Sequence, residues 1–419
     1  MMHPTDVLVV GNGLSGLMAA LAAVKRGRSV RVVARGAGAL TIGGGCVDLL
    51  GSLDGKVVRG DPVEAFPHLP ENHPYRLMGA ASVREALGFF SEICARNNLD
   101  LANRTGENLW VPTVLGTFKP TWFCREGMDR ETLRGTDCVC IVHLPWLKEV
   151  HAEMVRTELQ KQRGMEGRTI VIHPLEPYRA STYRNLTVLD TARYVDTPEG
   201  EAWLLSQLLP LGERARRERL AILVPPVLGI VRAAVIRQRL TEALGCPLVE
   251  MLAPPPGVGG LRIRKALVAA LAKEGVSIVE NTHIVEARVE GGRCLGLLAQ
   301  SPDRKREFAA TSFVIATGGF FGGGNRANPG EAHESIFGID LGAPQEVSEW
   351  SAKDIFGPQP YAKLGVRVNA RLNAVSSENI PLWDNVFFAG RTLAGYDFVS
   401  EKSGNGVALA SGYYAGTQV

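Results

Sequence analysis

The stretch "VLVVGNGLSGLMAALAAVKRGRSVRVVARG", residues 7–36, constrains this chain more than any other. A β-branched run ends at Gly11, Gly13 and Gly16 complete a G-x-G-x-x-G spacing, and an alanine-rich helical pattern leads into a second run, "SVRVVA". Strand, helix and strand in this order form a right-handed βαβ unit, the opening of a doubly wound parallel sheet. The first glycine permits a tight turn, the second lets backbone approach a phosphate, and the third lets the helix pack on the strand. The helix N-terminus adds amide donors and a positive dipole for an anion.

Adenosine-binding units of this kind carry an Asp or Glu about 20 residues further on, which accepts hydrogen bonds from the ribose hydroxyls. Here that place holds Ala34, followed by Arg35. Alanine accepts nothing there, so either the ligand has one phosphate and no adenosine, as FMN does, or Arg35 answers a 2′-phosphate, as in NADP. Further glycine motifs favour a flavin. "TIGGGCVD", with Gly43, Gly44 and Gly45, follows the second strand, and "VIATGG", with Thr317, Gly318 and Gly319, closes the sheet on the same side. Gly390 in "FFAG" and Asp397 in "GYD" are placed to meet a ribityl chain. Gly404, Gly406 and Val407 in "SGNGVALA" put a helix start where a reduced flavin carries negative charge at N1 and O2.

At 419 residues the chain exceeds what one core usually supports. The expected architecture is α/β: a Rossmann-like flavin-binding domain, with a doubly wound parallel sheet plus a β-meander, and an inserted cap lobe of α/β or α+β type. Residues 1–50, 253–324 and 381–419 are assigned to the flavin-binding domain, 51–252 and 325–380 to the cap. Proline-rich loops after residue 51 mark the change, and "CVCIVHL", "WLKEVHAEMVRTELQKQRG" and "RTIVIHPL" predict a second βαβ unit inside the insert. "APPPGVGG" punctuates the return, and "HIVEARVEGGRCLGLLAQ" is the meander.

The net charge of +3 gives no global electrostatic case for nucleic acid. Seven scattered cysteines are unlike a secreted disulfide framework and suit a reducing cytoplasm. Cys138 and Cys140 form a C-x-C inside a strand pattern with no second pair nearby, so no metal site is expected. The N-terminus lacks the regions of a signal peptide, and "LAILVPPVLGIV" falls short of the roughly 20 residues a membrane helix needs.

On "GNGLSGL", "GGGCVDLLG", "HPYRLMG", "LGTFKPTW", "VIATGGFF", "ESIFGID", "GPQP", "GYD" and "GNGVA", the chain resembles the flavoprotein superfamily of glutathione reductase and fumarate reductase. Within it, the chain is similar over nearly its whole length to the B-subunit family of the anaerobic glycerol-3-phosphate dehydrogenases. The resemblance implies an FMN subunit, with FAD as the alternative, paired with a larger FAD-containing catalytic subunit and with an iron–sulfur subunit that anchors the complex to the membrane. That complex oxidises sn-glycerol 3-phosphate to dihydroxyacetone phosphate and passes electrons to quinone, then to fumarate or nitrate. It implies a cytoplasmic chain, peripheral on the inner membrane through its partner. The flavin contacts carried over are Gly11, Gly13, Gly16, Gly43, Gly44, Gly45, Thr317, Gly318, Gly319, Gly390, Asp397, Gly404, Gly406 and Val407, with Arg35 a weaker one. "GALTIGGGCVDLLG" has no histidine where covalently flavinylated relatives carry one, so the flavin is expected to dissociate on denaturation.

Oxidising a secondary alcohol needs a base for the hydroxyl proton and a hydride acceptor, and a phosphorylated substrate needs a cation. Lys119, Arg367 and Arg371 are candidates for the phosphate, and His73, His143 and His333 for the base. No spacing singles out a pair, and the catalytic base is not identified. An electron-relay or assembly protein without its own substrate site, a fumarate reductase-like FAD oxidoreductase, and an NADP-dependent enzyme using Arg35 stay open.

Overall fold

A computed structural model describes residues 5–178, 185–301 and 304–419. The chain divides into two compact units. The first comprises Met1–Leu40, Asp48–Asn97 and Arg264–Val419, and the second Thr41–Val47 and Asn98–Ile263.

The first unit opens with β1 (Thr5–Val10), α1 (Leu14–Lys25) and β2 (Val30–Val33), the predicted βαβ. Every residue from Leu14 to Ala23 is buried, which explains why this helix is apolar all round rather than on one stripe. A longer helix, α2 (Ala80–Arg96), buries only Val83, Ala86, Leu87, Phe90, Ile93 and Cys94, a one-faced spacing.

The second unit holds β3 (Cys138–His143), α3 (Ala152–Gln160), β4 (Thr169–Pro174), α4 (Val188–Val195), α5 (Pro198–Ala215), β5 (Leu220–Val224), α6 (Ala233–Leu244) and β6 (Leu248–Glu250). Strands β3 to β6 form one parallel sheet in the order β4-β3-β5-β6. "CVCIV" and "LAILV" are buried throughout because helices cover both faces of such a sheet, so the alternation of a half-exposed strand is lost. The helix expected to follow β3 directly starts only at Ala152, after the prolyl turn at Pro145.

α7 (Gly259–Lys273) leads to β7 (Ser277–Val279), then to the meander β8 (His283–Glu290), β9 (Arg293–Ser301) and β10 (Arg304–Ile315). The hairpin β11 (Asn325–Asn328) and β12 (Glu331–Glu334), strand β13 (Val386–Phe388) and α8 (Gly404–Gln418) complete the first unit. Its sheet has the order β7-β2-β1-β10-β9-β8, with β13 also on β10. β10 serves two purposes. Residues 304–309 pair antiparallel with β9, while residues 310–315 run parallel to β1, with 313–315 also parallel to β13.

α8 lies against α1 through glycines. A Cβ on Gly412 would come 2.2 Å from the Ser15 carbonyl oxygen, and one on Gly416 would come 2.3 Å from that of Ala19. No helix among the described residues is long and apolar enough to cross a membrane.

Candidate functional site

The glycine turn after β1 shows three different uses of a missing side chain. Gly11 has φ +118°, donates its amide to the Val33 carbonyl, and would drive a Cβ to 2.2 Å from the Ala316 carbonyl oxygen. Gly16 would drive one to 2.0 Å from the Gly11 carbonyl oxygen, so it is the helix–strand contact. A Cβ on Gly13 would meet nothing within 4 Å. Gly13 is the N-cap of α1, no side chain caps the helix, and its first turn carries no acid. The result is an uncapped helix start beside open space, where a phosphate gains amides and dipole.

Two orphaned atoms add to this cradle. The Asn12 side-chain oxygen and the Thr317 hydroxyl are both buried without a hydrogen-bond partner, and buried polar groups in folded proteins are rarely left so. Thr317, Gly318 and Gly319 follow β10, and Gly318 has φ +83°. The chain doubles back so tightly that a Cβ on Gly324 would sit 2.0 Å from the Gly318 carbonyl oxygen. Gly390 joins them: with φ +79°, it would place a Cβ 2.4 Å from the Ser15 hydroxyl, and its amide donates to Ser411 Oγ at 2.8 Å. The unpaired polar atoms and the open space at Gly13 fit a phosphate-bearing ligand with a hydroxylated chain, as a flavin nucleotide is.

Other expected contacts have partners of their own. Asp397 is buried, and its carboxylate accepts from the Val399, Ser400 and Gln359 amides and the Ser400 hydroxyl, capping its own turn. Gly406 donates to the Asp48 carbonyl and would place a Cβ 2.3 Å from Tyr75 Oη, and Val407 is fully buried. Gly404 begins α8. Gly43, Gly44 and Gly45 fall in the second unit. There Gly43 accepts from the Gly260 amide, a Cβ on Gly44 would meet Leu252, and one on Gly45 would lie 2.4 Å from Gly259 Cα.

Ala34 is buried and bonded through its backbone to Val279 and Thr282, while Arg35 is exposed. A carboxylate does reach the glycine turn, but from another strand. Glu280, just past β7, accepts from Asn12 Nδ2 at 2.9 Å and from Arg264 Nη2 at 2.8 Å. Sequence reasoning missed it because 268 residues separate Glu280 from Asn12. It also missed Gly38, with φ +73°, whose Cβ would come 2.9 Å from Gly13 Cα.

Among the candidate bases, His73 is fully buried with both ring nitrogens in use: Nδ1 accepts from the Tyr75 amide and Nε2 donates to Glu401 at 3.1 Å. It orients Glu401 rather than standing ready for a proton. His143 ends β3 in the second unit with a buried, unpartnered Nδ1, and burial lowers its pKa, with His151 adding to this and Glu153 opposing it. His333 lies on β12 opposite Arg326. Lys119 is in the second unit. Arg367 and Arg371 are exposed, the first bonded to Asn379 and the second over the Phe387 ring. All seven cysteines are buried and none forms a disulfide, and burial pushes the Cys94 and Cys140 thiols up to about 12, so neither offers thiolate chemistry at neutral pH.

Glu334, on β12 opposite Asn325, has Oε2 bonded to the Ile336 and Phe337 amides and a buried, unpartnered Oε1. Burial pushes its pKa up to about 7, against the amides and Arg326. Because the folded value lies above the unfolded one, its contribution to stability is complete below the ordinary carboxyl range and is lost as pH rises through about 7. Glu334→Gln should therefore match the parent at about pH 4 and exceed it at pH 8 by on the order of 3 kcal/mol, read from denaturant unfolding at both pH values. Parallel pH profiles for the two proteins would contradict this.

Comparison with known proteins bears on the whole chain. Residues 6–407 match the FAD binding domain family. A Halobacterium salinarum protein, named as the probable B subunit of an anaerobic glycerol-3-phosphate dehydrogenase, is 32% identical, covering 99% of this chain and 97% of its own. The B subunit of the anaerobic glycerol-3-phosphate dehydrogenase of Pectobacterium carotovorum is 29% identical, covering 99% and 98%. Among solved structures, E. coli quinol fumarate reductase FrdA aligns with 99% of this chain and 69% of its own at 10% identity and a TM-score of 0.41. With an uncapped helix start on a doubly wound sheet and relatives of one name matched over nearly their whole length, the chain belongs to the FAD binding domain family and, within it, to the B-subunit family of the anaerobic glycerol-3-phosphate dehydrogenases.

Proposed function

We propose that this chain is the FMN-containing subunit of a membrane-associated anaerobic glycerol-3-phosphate dehydrogenase. It works with a larger FAD-containing catalytic subunit and an iron–sulfur anchor subunit on the cytoplasmic face of the membrane, and the complex delivers electrons from sn-glycerol 3-phosphate to quinone. The relatives' names support the assignment to such a complex. The observation that carries the cofactor is the uncapped start of α1 beside the open space at Gly13. The buried methyl of Ala34 stands where an adenosine-binding unit presents a carboxylate, which supports FMN.

When bound, the flavin supplies the hydride acceptor for alcohol oxidation. The chain's own contributions are to hold and dehydrate it. α1 offers amides to the phosphate, Gly11 and Gly390 keep the turn tight, and the Thr317 and Asn12 side chains stand ready for ligand hydroxyls. His73 holds Glu401 in place, and Glu401 in turn accepts from Ser403 at the start of α8.

FAD is the second reading, and Glu280 favours it, because a carboxylate beside Asn12 could serve an adenosine ribose from β7 instead of β2. Flavin released by denaturing the purified chain separates the two. Fluorescence unchanged by phosphodiesterase means FMN. A several-fold rise means FAD, and then Glu280→Ala should weaken FAD binding. Anaerobic addition of glycerol 3-phosphate tests the dehydrogenase itself. Bleaching of the flavin in this chain alone places the oxidation here, and bleaching only once the larger FAD-containing partner is added makes the chain an electron relay.

A further inference from the structure

We propose that Glu334, faced by Asn325 across the β11–β12 hairpin, is a buried proton acceptor that binds one proton when the flavin is reduced, a role that rests on the flavin reading of the cradle. Asn325 and Glu334 are cross-strand partners, so their side chains share one face of the hairpin within reach of each other. Both are buried, at 2% and 0% exposure. Each carries one orphaned atom, and the two are of opposite kind: Asn325 Nδ2 is a donor without an acceptor, and Glu334 Oε1 an acceptor without a donor. A buried carboxylate that serves structure alone has both oxygens filled, as Glu250 does. In Glu334 the Ile336 and Phe337 amides fill Oε2 and leave Oε1 open, facing an amide side chain.

An amide serves both states of such an oxygen. Its NH2 donates to the carboxylate, and its carbonyl accepts from the carboxylic acid. Asn325 Oδ1 has one partner, the Thr392 hydroxyl at 3.1 Å, and keeps a second lone pair for the acid proton. Asn325 is thus a positioning residue, and Glu334 is the group that changes charge. Burial pushes the Glu334 pKa up to about 7, opposed by the backbone amides and by Arg326, so the group is poised between its two states near neutral pH. The titratable groups on the elements around it are Arg326 on β11, Glu331 and His333 on β12, Asp340 just beyond and Arg391 beside Thr392.

The pair is fastened to two turns of the cradle. Asn325 Oδ1 holds Thr392 in the turn Gly390–Thr392, and the Asn325 amide donates to the Gly319 carbonyl in a long hydrogen bond of 3.5 Å. Negative charge arriving at a site bounded by these turns raises the proton affinity of a buried carboxylate nearby. The reductant is the secondary alcohol. Its carbon-bound hydrogen leaves with the electron pair for the flavin, its O–H bond breaks as the carbonyl forms, and the proton released is matched by the one bound at Oε1. The flavin site gains one negative charge and Glu334 loses one, so the buried region stays balanced.

The midpoint potential of the bound flavin, titrated with redox mediators from about pH 5 to about pH 9 in the parent, Glu334→Gln and Asn325→Ala, reads this coupling directly. Above about pH 7 the parent potential should fall with pH more steeply than that of Glu334→Gln, by about 30 mV per pH unit, the tenfold change that one extra proton gives a two-electron couple. Below about pH 6 Glu334 is protonated in both redox states, and the two lines should run parallel. Asn325→Ala removes the donor to the carboxylate, so the added steepness should begin about one pH unit higher or more. Parallel lines for the parent and Glu334→Gln across the whole range, in chains that carry flavin, overturn the proposal alone. An onset unmoved in Asn325→Ala overturns the part given to Asn325. A chain that carries no flavin overturns the flavin reading, and this role of Glu334 with it.

Discussion

Gly13→Ala should leave the fold intact and cost flavin, while Gly16→Val should cost the fold. The two residues lie three apart in one motif, yet their surroundings differ completely. A Cβ on Gly13 meets nothing within 4 Å, and its φ of −89° suits any residue. The only group such a methyl can obstruct is a ligand at the start of α1. The flavin-free Gly13→Ala variant is expected to melt within about 2 °C of the parent while its flavin dissociation constant rises tenfold or more. At Gly16 the obstacle is the Gly11 carbonyl oxygen at 2.0 Å, which is backbone and cannot rotate away. Overpacking of this kind lies at or above the upper end of the usual 1–3 kcal/mol, so Gly16→Val should melt roughly 10 °C lower or fail to fold. Thermal unfolding and flavin titration of both variants check this. Retained flavin affinity in Gly13→Ala would remove the main support for a phosphate at this turn.

The contrast shows what a sequence discloses and what it withholds. The βαβ opening, the meander and the βαβ from Cys138 to Pro174 were legible, because each follows from local spacing: glycines at a turn, a helix apolar all round, a strand buried throughout. Spacing cannot separate the two meanings of a glycine. Gly406 stands in a helix-start motif that suits a flavin, and its own backbone is pressed against Tyr75 and Asp48, a demand set by residues more than 300 positions away. Asp397 likewise reads as a polar group free for a ligand until Gln359, Val399 and Ser400 are seen to occupy it. Glu280 was invisible for the converse reason. It belongs to no motif, and it matters only through what the tertiary fold brings beside it, Asn12.

The second unit depends on a buried charge cluster that should dominate its stability. Glu250, at the end of β6, is 1% exposed and accepts from Arg125 at 2.8 Å, from Arg262 at 2.6 and 2.9 Å, and from the Leu228 amide at 3.0 Å. Arg125 is also bonded to Asp100, and Arg262 to the Gly229 carbonyl, so every charge in the group has a partner. Glu250→Ala leaves two buried guanidinium groups facing a cavity, and breaking a buried pair from one side typically costs about 3–5 kcal/mol. Glu250→Gln keeps the shape but not the charge and should fall between the parent and the alanine variant. The pH dependence separates this from simple packing loss. Burial alone would raise the Glu250 pKa, but Arg262 and then Arg125 outweigh it and hold the carboxyl below its ordinary value. With the folded value depressed, the stabilisation is complete above the unfolded carboxyl pKa of about 4.3 and disappears as pH falls through the folded value. Denaturant unfolding from pH 7 down to pH 3 should show the parent losing stability below about pH 4 and Glu250→Gln losing correspondingly less. Equal acid sensitivity in the two proteins would mean that the arginines are held by Asp100 and the backbone, with Glu250 contributing shape alone.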